Sequence, residues 1–474
     1  MRKIICLAFL LLGLGGCVVG PKYKRPVIQA PDKYYTEASP QSSSLADAPW
    51  WELFKDPVLQ DLIREALKSN YDVATAAARV EQARAQAGVA RSAYAPQIGY
   101  GVDITGLRVP VPFERTDTYY GYNFNLSWEL DLWGRIRRLN EQQRALFFAS
   151  EEVQRGVWLS LVADVAQAYF ELRALDAQLD ITKETGQSFQ ETYELFGKKV
   201  GGGAASGLET SRAEGALANI LAQVPDLERQ IIAKENQISL LLGKNPGQIP
   251  RGSSLADQND LDVIPAGLAS TLLERRPDLR QAEQELIAAN ASVGVAKANF
   301  FPVLSLTALL GGVSPELSGL VSSGTQWAVA GGLAGPLFTG GRLKSQYRAV
   351  LAQRDQAQLF YEKSVTQAFG EVSTALAAHQ LLAQSLKEQS RSVRSYQDSV
   401  RLSNLRYDTG LASYFEVLDA KLDLFPAQTA LILYDLNRKA ALVELYKALG
   451  GGWKLSDAEW LNKAASSAPP PSVK

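Results

Sequence analysis

The sequence predicts an α+β membrane protein with an internal two-fold repeat: a closed β-barrel to which each chain gives four strands, joined to long α-helices packed side by side. Three observations predict it. The chain repeats itself at a displacement of about 206 residues, each repeat holds segments of apolar–polar alternation, and each holds a proline-free stretch of more than 60 residues. Beyond the N-terminus, no segment approaches the roughly 20 apolar residues of a spanning helix. Such a chain crosses a membrane only as a closed barrel, because lipid offers no partner to an unpaired backbone group.

The repeat is explicit. Asp72–Pro96 laid on Asp278–Pro302 gives eight identities in 25 positions, centred on Gly88-Val89-Ala90-Arg91 against Gly294-Val295-Ala296-Lys297. Further on, Gly134-Arg135-Ile136-Arg137 answers Gly341-Arg342-Leu343-Lys344, and Gln167-Ala168-Tyr169 answers Gln367-Ala368-Phe369. Gly203, Ser206 and Glu209 answer Gly410, Ser413 and Glu416, and Leu242-Gly243 answers Leu449-Gly450. Two units are too few for a solenoid, which needs at least three. They suit two pseudo-equivalent walls of one symmetric object.

The first residues read as an address. Arg2-Lys3 precede an apolar run, Ile4–Leu14, and then Leu14-Gly15-Gly16-Cys17. A run this short with small residues behind it fits a signal peptide at 1–16. Leu-Gly-Gly-Cys also resembles the bacterial lipobox, which implies an acyl (palmitate-type) lipid on Cys17 and a lipidated N-terminal segment at 17–56. Val18, where aspartate would signal inner-membrane retention, favours the outer membrane. Cys6 leaves with the signal, so the mature chain forms no internal disulfide. One histidine, one methionine and two cysteines exclude a zinc site or a Cys/His nucleophile, and no GxxxxGK[ST] loop is present. The expectation is a non-enzyme with no cofactor beyond that lipid. A net charge of −1 gives no global pull toward nucleic acid or anionic lipid.

Repeat 1 occupies 57–245. Asp56–Ala95, alanine-rich and without proline after Pro57, predicts one long helix ended by Pro96. Period two then takes over in strands at about 97–108 and 119–132. In the second, Tyr120, Tyr122, Phe124, Leu126, Trp128, Leu130 and Leu132 alternate with small, amide or acidic residues. Apolar positions with aromatics near both ends and a polar opposite face match a transmembrane barrel strand. Its 13 residues, tilted, rise about 30 Å. Gly134 hands over to Arg135–Val200, 66 residues without proline and therefore about 100 Å of helix. A glycine-bearing turn, Gly201–Gly207, leads to a return helix interrupted at Pro225.

After a connector at 246–268, repeat 2 (269–452) has the same order. Its strands fall at about 302–311 and 325–338, its long helix at Ser345–Tyr407 with 63 residues, and its return helix is interrupted at Pro426. A C-terminal segment at 453–474 ends in a tail, Ala464–Lys474, whose composition reads as disordered. Four strands cannot close a barrel, and bacterial membrane barrels begin at eight. The chain must therefore oligomerise; two copies give eight strands, three give 12.

These features are shared with a known group. The chain resembles the TolC family of outer-membrane efflux channels, in particular its lipid-anchored, OprM-like (NodT-type) branch, from Cys17 to about Trp453. The markers are Cys17–Pro26, Trp50–Leu59, Leu130–Arg135, Glu274–Leu279 and Phe301-Pro302. The resemblance implies a homotrimer with a 12-stranded barrel, continued by a periplasmic α-helical barrel with a belt formed by the connector and the termini. It implies a passive exit duct for drugs or other small molecules, docked through a periplasmic adaptor onto an inner-membrane pump of the resistance-nodulation-division (RND) type.

The helical tips are the expected gate. Phe415 and Asp419 are four apart and share a helix face, with Asp423 one turn on and Arg406 on the opposing arm as a cationic partner. In the family the matching hairpin carries the primary gate, which implies that role for Arg406, Tyr407 and Asp419, with Phe415 in place of the family's leucine. The turns at Gly203 and Ser206 and at Gly410 and Ser413 are implied adaptor-docking tips. At the first tip Arg212 stands where Asp419 stands and Leu208 where Phe415 stands, so the device is missing there. His379 reads as a helix-surface residue without a partner. Two other readings stay open: the duct of a type I protein-secretion system, and a coiled-coil envelope lipoprotein that is no channel. The alternating strands have no use in the latter.

Overall fold

The computed structural model describes residues 18–28, 44–109, 115–202, 206–258, 272–322 and 324–460. The expected signal peptide, Cys17, Gly203, residues 259–271 and the C-terminal tail lie outside these. In chain order the main elements are α1 (Pro57–Ser69), α2 (Tyr71–Ser92), β1 (Gln97–Val109), β2 (Arg115–Leu130), α3 (Arg135–Gly201), α4 (Gly207–Leu221) and α5 (Gln223–Leu241). Then follow α6 (Pro277–Ala298), β3 (Val303–Ser314), β4 (Thr325–Ala334), α7 (Arg342–Asp408) and α8 (Tyr414–Ala448). They form two compact units, one of Met1–Ile28, Ala78–Glu152 and Leu279–Ser364, the other of Gln29–Ala77, Val153–Asp278 and Val365–Lys474.

The first unit holds one antiparallel sheet in the order β1-β2-β3-β4. Its register stacks the alternating residues into rows. Tyr100 pairs with Phe124, Phe124 with Leu310 and Leu310 with Trp327, while Ile98, Leu126, Ala308 and Val329 form the next row. These rows face outward: Tyr100 is 82% exposed, Trp327 75% and Val329 73%. A one-residue slip would turn every apolar side chain to the other face, so the pattern fixes the register. That other face is amide and glycine, Gly99 opposite Asn125 and Gly101 opposite Asn123. A Cβ on Gly99 would lie 2.9 Å from the Asn125 amide oxygen, so glycine is required there by close approach. β1 and β4 are the sheet's edges, and every residue of β4 is exposed.

The strands depart from their expected limits: β3 runs on to Ser314 rather than 311, and β2 ends at Leu130 rather than 132. β2 begins at Arg115 rather than 119, and β4 stops at Ala334 rather than running to 338. Gly335-Pro336 ends it, since proline has no N–H to give to a ladder.

The second unit is helical around a core that includes Trp50, Leu59, Ile63, Tyr169, Leu172 and Tyr446. The helix expected over Asp56–Ala95 is two helices. Asn70 adopts an extended conformation (φ −67°, ψ 136°), accepts from the N–H of Asp72 (2.7 Å) and Val73 (3.2 Å), and donates to Leu241 O (2.9 Å). An asparagine that caps one helix while ending another makes a break that propensity alone does not reveal. The two return helices also differ. The first breaks at Ala222, which places Pro225 in the opening turn of α5, where its missing N–H costs nothing. The second, α8, runs through Pro426 without interruption.

Buried Asp56 ties this unit together. Its carboxylate accepts from Tyr169 Oη (2.8 Å), Gln258 Nε2 (2.7 Å) and the N–H of Ser253 (3.0 Å) and Val58 (2.9 Å). Burial alone would raise its pKa; the donated hydrogen bonds outweigh burial and hold the carboxyl below its usual value. His379 corrects the sequence reading. It is 4% exposed and is not without a partner, because Val372, Ala375, Leu376 and His379 form one helical stripe of α7 that enters the protein interior.

Candidate functional site

Two helical hairpins, α3–α4 and α7–α8, end in the second unit, and their tips bring most of the expected gate residues together. A stripe on α3, Phe189, Tyr193 and Phe196, packs with Tyr414, Val417 and Leu418 of α8. The Tyr414 ring stands edge-on to Phe196 (4.8 Å, 76°) and to Tyr407 (5.0 Å, 80°). Its hydroxyl lies 2.6 Å from Thr192 Oγ1, and burial pushes the phenol pKa up. Lys421 Nζ donates to Ser188 Oγ (2.8 Å); burial pushes this ammonium's pKa down, with the charge of Glu191 opposing. Lys199 Nζ donates to Tyr407 Oη. The hairpins of one chain are thus held together by an aromatic cluster ringed with hydrogen bonds.

The turns have separate local causes. Gly410 has φ +71°, a left-handed residue that closes α7, with its N–H on Tyr407 O (2.9 Å) and the Leu411 N–H on Arg406 O (2.8 Å). Ser413 precedes α8 in an extended conformation, as Ser206 precedes α4. At Ser206 the backbone N–H donates to Glu209 Oε2 (2.9 Å), half of a capping box.

The charged residues fall differently from expectation. Arg406 Nε pairs with Glu416 Oε2 at 3.2 Å, not with Asp419. Both partners are about half exposed, so the bridge is worth at most about 1 kcal/mol. Asp419 is exposed and, among the described residues, has neither a hydrogen bond nor an ion pair within its own chain. Phe415, 52% exposed, lies under the Arg212 guanidinium at 5.0 Å. The residue that marked the first tip as lacking the device therefore touches the device.

Sequence reasoning found Arg406, Tyr407, Phe415, Asp419, Ser206, Gly410 and Ser413, and the structure places all of them at the tips. It missed Tyr414, Thr192, Lys199, Glu416 and the contact of Arg212. One signal was available: Phe189, Tyr193 and Phe196 recur at helical spacing on α3, an aromatic stripe that packs with Ala213, Leu217 and Ile220 of its own hairpin as well as with α8. Among the described residues no helix is long and apolar enough to cross a membrane, and no cluster of three or more His, Cys, Asp or Glu could hold a metal.

The family model described as "Outer membrane efflux protein" matches residues 62–244 and 268–451, one stretch in each repeat. The solvent efflux pump outer membrane protein SrpC of Pseudomonas putida is 37% identical over 461 residues, covering 94% of this chain and 98% of its own. The probable outer membrane lipoprotein SilC of Salmonella typhimurium is 34% identical over 449 residues, 93% of this chain and 96% of its own. Among solved structures, the open state of the Neisseria gonorrhoeae outer membrane channel MtrE superposes with a TM-score of 0.86 at 31% identity. That alignment covers 92% of this chain and 99% of the channel.

Proposed function

The chain belongs to the outer membrane efflux protein family, and we propose that it is the passive exit duct of a tripartite efflux system, a homotrimer that takes small molecules from a periplasmic adaptor and an RND-type inner-membrane pump. It is an outer-membrane efflux channel of the TolC kind, an oligomer that works with pump partners. The observation that carries the finer reading is the sheet: an exposed apolar face bounded by two bare edges. The apolar face suits lipid, but bare edges are not tolerable there unless they pair with further copies, and three copies give a barrel of about 12 strands. Cys17 carries an N-terminal lipid, and the chain performs no chemistry of its own.

The tips are the gate. Three copies of the second hairpin bring three unpaired Asp419 carboxylates together beside Phe415. The weak Arg406–Glu416 bridge leaves Arg406 available to the Asp419 of a neighbouring copy. Gly203, Ser206, Gly410 and Ser413 form the turns that meet the adaptor. Native mass spectrometry in mild detergent tests the assembly, with three chains expected, each beginning at an acylated Cys17; a stable monomer overturns it. Planar-bilayer recording tests the gate, with a low, cation-favouring resting conductance expected. An exporter-fed protein-secretion duct is the second reading. The efflux relatives favour small-molecule export over it, through SrpC, a solvent efflux pump component.

A further inference from the structure

The first unit contains a cavity of about 930 Å³ that the duct reading does not use. Four arginines line it, Arg84 and Arg91 from α2 and Arg137 and Arg144 from α3, against the single carboxylate of Glu141. Glu141 is already engaged by Arg138 (2.7 Å). Arg84 pairs with Glu81 and Arg137 with Asp131, whereas Arg91 and Arg144 have no hydrogen bond or ion pair among the described residues. Arg84 and Arg144 lie over the Phe147 and Phe148 rings (5.5 and 5.3 Å), so their guanidinium planes are held rather than free. Two of the four guanidinium groups, Arg91 and Arg144, are thus left without a carboxylate, and the planar fork of arginine matches a phosphate's oxygens.

The internal repeat says why the cavity is open. Arg84 and Gly88 on α2 correspond to Asn290 and Gly294 on α6. In the second repeat that face is covered: Asn290 Nδ2 donates to Pro21 O (3.0 Å), and Gly20 packs so closely that a Cβ on it would lie 2.6 Å from Gly294 Cα. Within one chain the same face of the first repeat is uncovered, and a Cβ on Gly88 would meet nothing within 4 Å.

The position indicates the source of the anion. Arg137 is bonded to Asp131, directly after β2, and Tyr94, whose carbonyl accepts from Trp128 Nε1 (3.0 Å), also lines the cavity. The cavity therefore adjoins the end of the apolar sheet, the headgroup level of the bilayer, where aromatics and arginines gather. We propose that this cavity binds the phosphate of an anionic phospholipid headgroup, one lipid per protomer, at the base of the membrane sheet.

The test is native mass spectrometry of the full-length protein in detergent, titrated with phosphatidylglycerol, with phosphatidylcholine and with inorganic phosphate. The expected result is retention of phosphatidylglycerol above phosphatidylcholine, weakened about ten-fold in Arg91→Ala/Arg144→Ala and partly restored in Arg91→Lys/Arg144→Lys. Oligomer mass and single-channel conductance stay at the parent values in these variants, since neither arginine lies in the gate; this separates a lost site from a lost fold. Equal retention by parent and alanine variant overturns the proposal. So does equal retention of the two lipids, and so does displacement of the lipid by inorganic phosphate at the same concentration, which would make the ligand a soluble anion.

Discussion

At the first hairpin tip Glu209 folds back onto the N–H of Ser206 at 2.9 Å, while its counterpart at the second tip, Glu416, reaches across to Arg406 at 3.2 Å. The same Ser-x-x-Glu frame thus does two jobs. At the first tip it closes a helix end, a fixed local task worth about 1 kcal/mol. At the second it gives up that carboxylate to Arg406 on the opposing helix. The difference teaches that a duplicated hairpin diverges by small changes: a cap released, and an acid placed where its twin has Arg212. The first hairpin is not idle, because Arg212 and Lys199 both reach the second one.

The comparison extends to the middle of the molecule, where Tyr169 in the first repeat matches Phe369 in the second. The hydroxyl that distinguishes them donates to Asp56. The largest effect is therefore expected at Asp56. Asp56→Ala strands four donors, lowering stability by about 2–4 kcal/mol, whereas Tyr169→Phe costs about 1 and Phe369→Tyr gains nothing. Thermal unfolding in detergent, followed by circular dichroism, checks the order; an Asp56→Ala protein as stable as the parent would remove the knot. The pH dependence has a definite sign. Because the folded carboxyl lies below its unfolded value of about 3.9, its contribution is complete above that pH and is lost as pH falls through the folded value. Asp56→Asn should flatten this acid limb.

Next in size is the gate. Asp419→Ala should raise resting conductance in planar bilayers about five- to ten-fold and remove its cation preference, since the proposed gate needs a carboxylate ring that attracts cations and engages the Arg406 of a neighbouring copy. No change there would put the constriction elsewhere. Arg212→Ala frees the Phe415 ring, a contact worth about 0.5–1 kcal/mol, so conductance should rise about two- to five-fold with ion preference kept. An unchanged Arg212→Ala channel would mean that the first tip is a bystander after all.

The smallest effects give the sharpest contrast. Glu209→Ala should cost about 0.5–1 kcal/mol of stability through the lost cap and leave conductance alone. Glu416→Ala should do the reverse: stability barely moves, but Arg406 is released to Asp419 and resting conductance falls. If both substitutions behave alike in both assays, the two frames do the same job and the comparison fails.

By itself the sequence determined the repeat, the strand faces, the long helices, the need for partners along the strand edges and the residues of the second tip. Period-two alternation, proline-free length and motif spacing are local properties, and local properties are written in the order of residues. Legibility ended where a residue's fate depends on what lies across from it. The break at Asn70 rests on the carbonyl of Leu241, and burial of His379 rests on the stripe of α7 that carries it inward. Arg406 choosing Glu416 over Asp419, both on α8, is a matter of ångströms that spacing does not resolve. Arg212 meeting Phe415, and the bare arginine cavity facing Gly88 where Gly294 is covered, were decided by the tertiary structure alone. Those contacts join residues far apart in the chain, and packing, not periodicity, sets their distance.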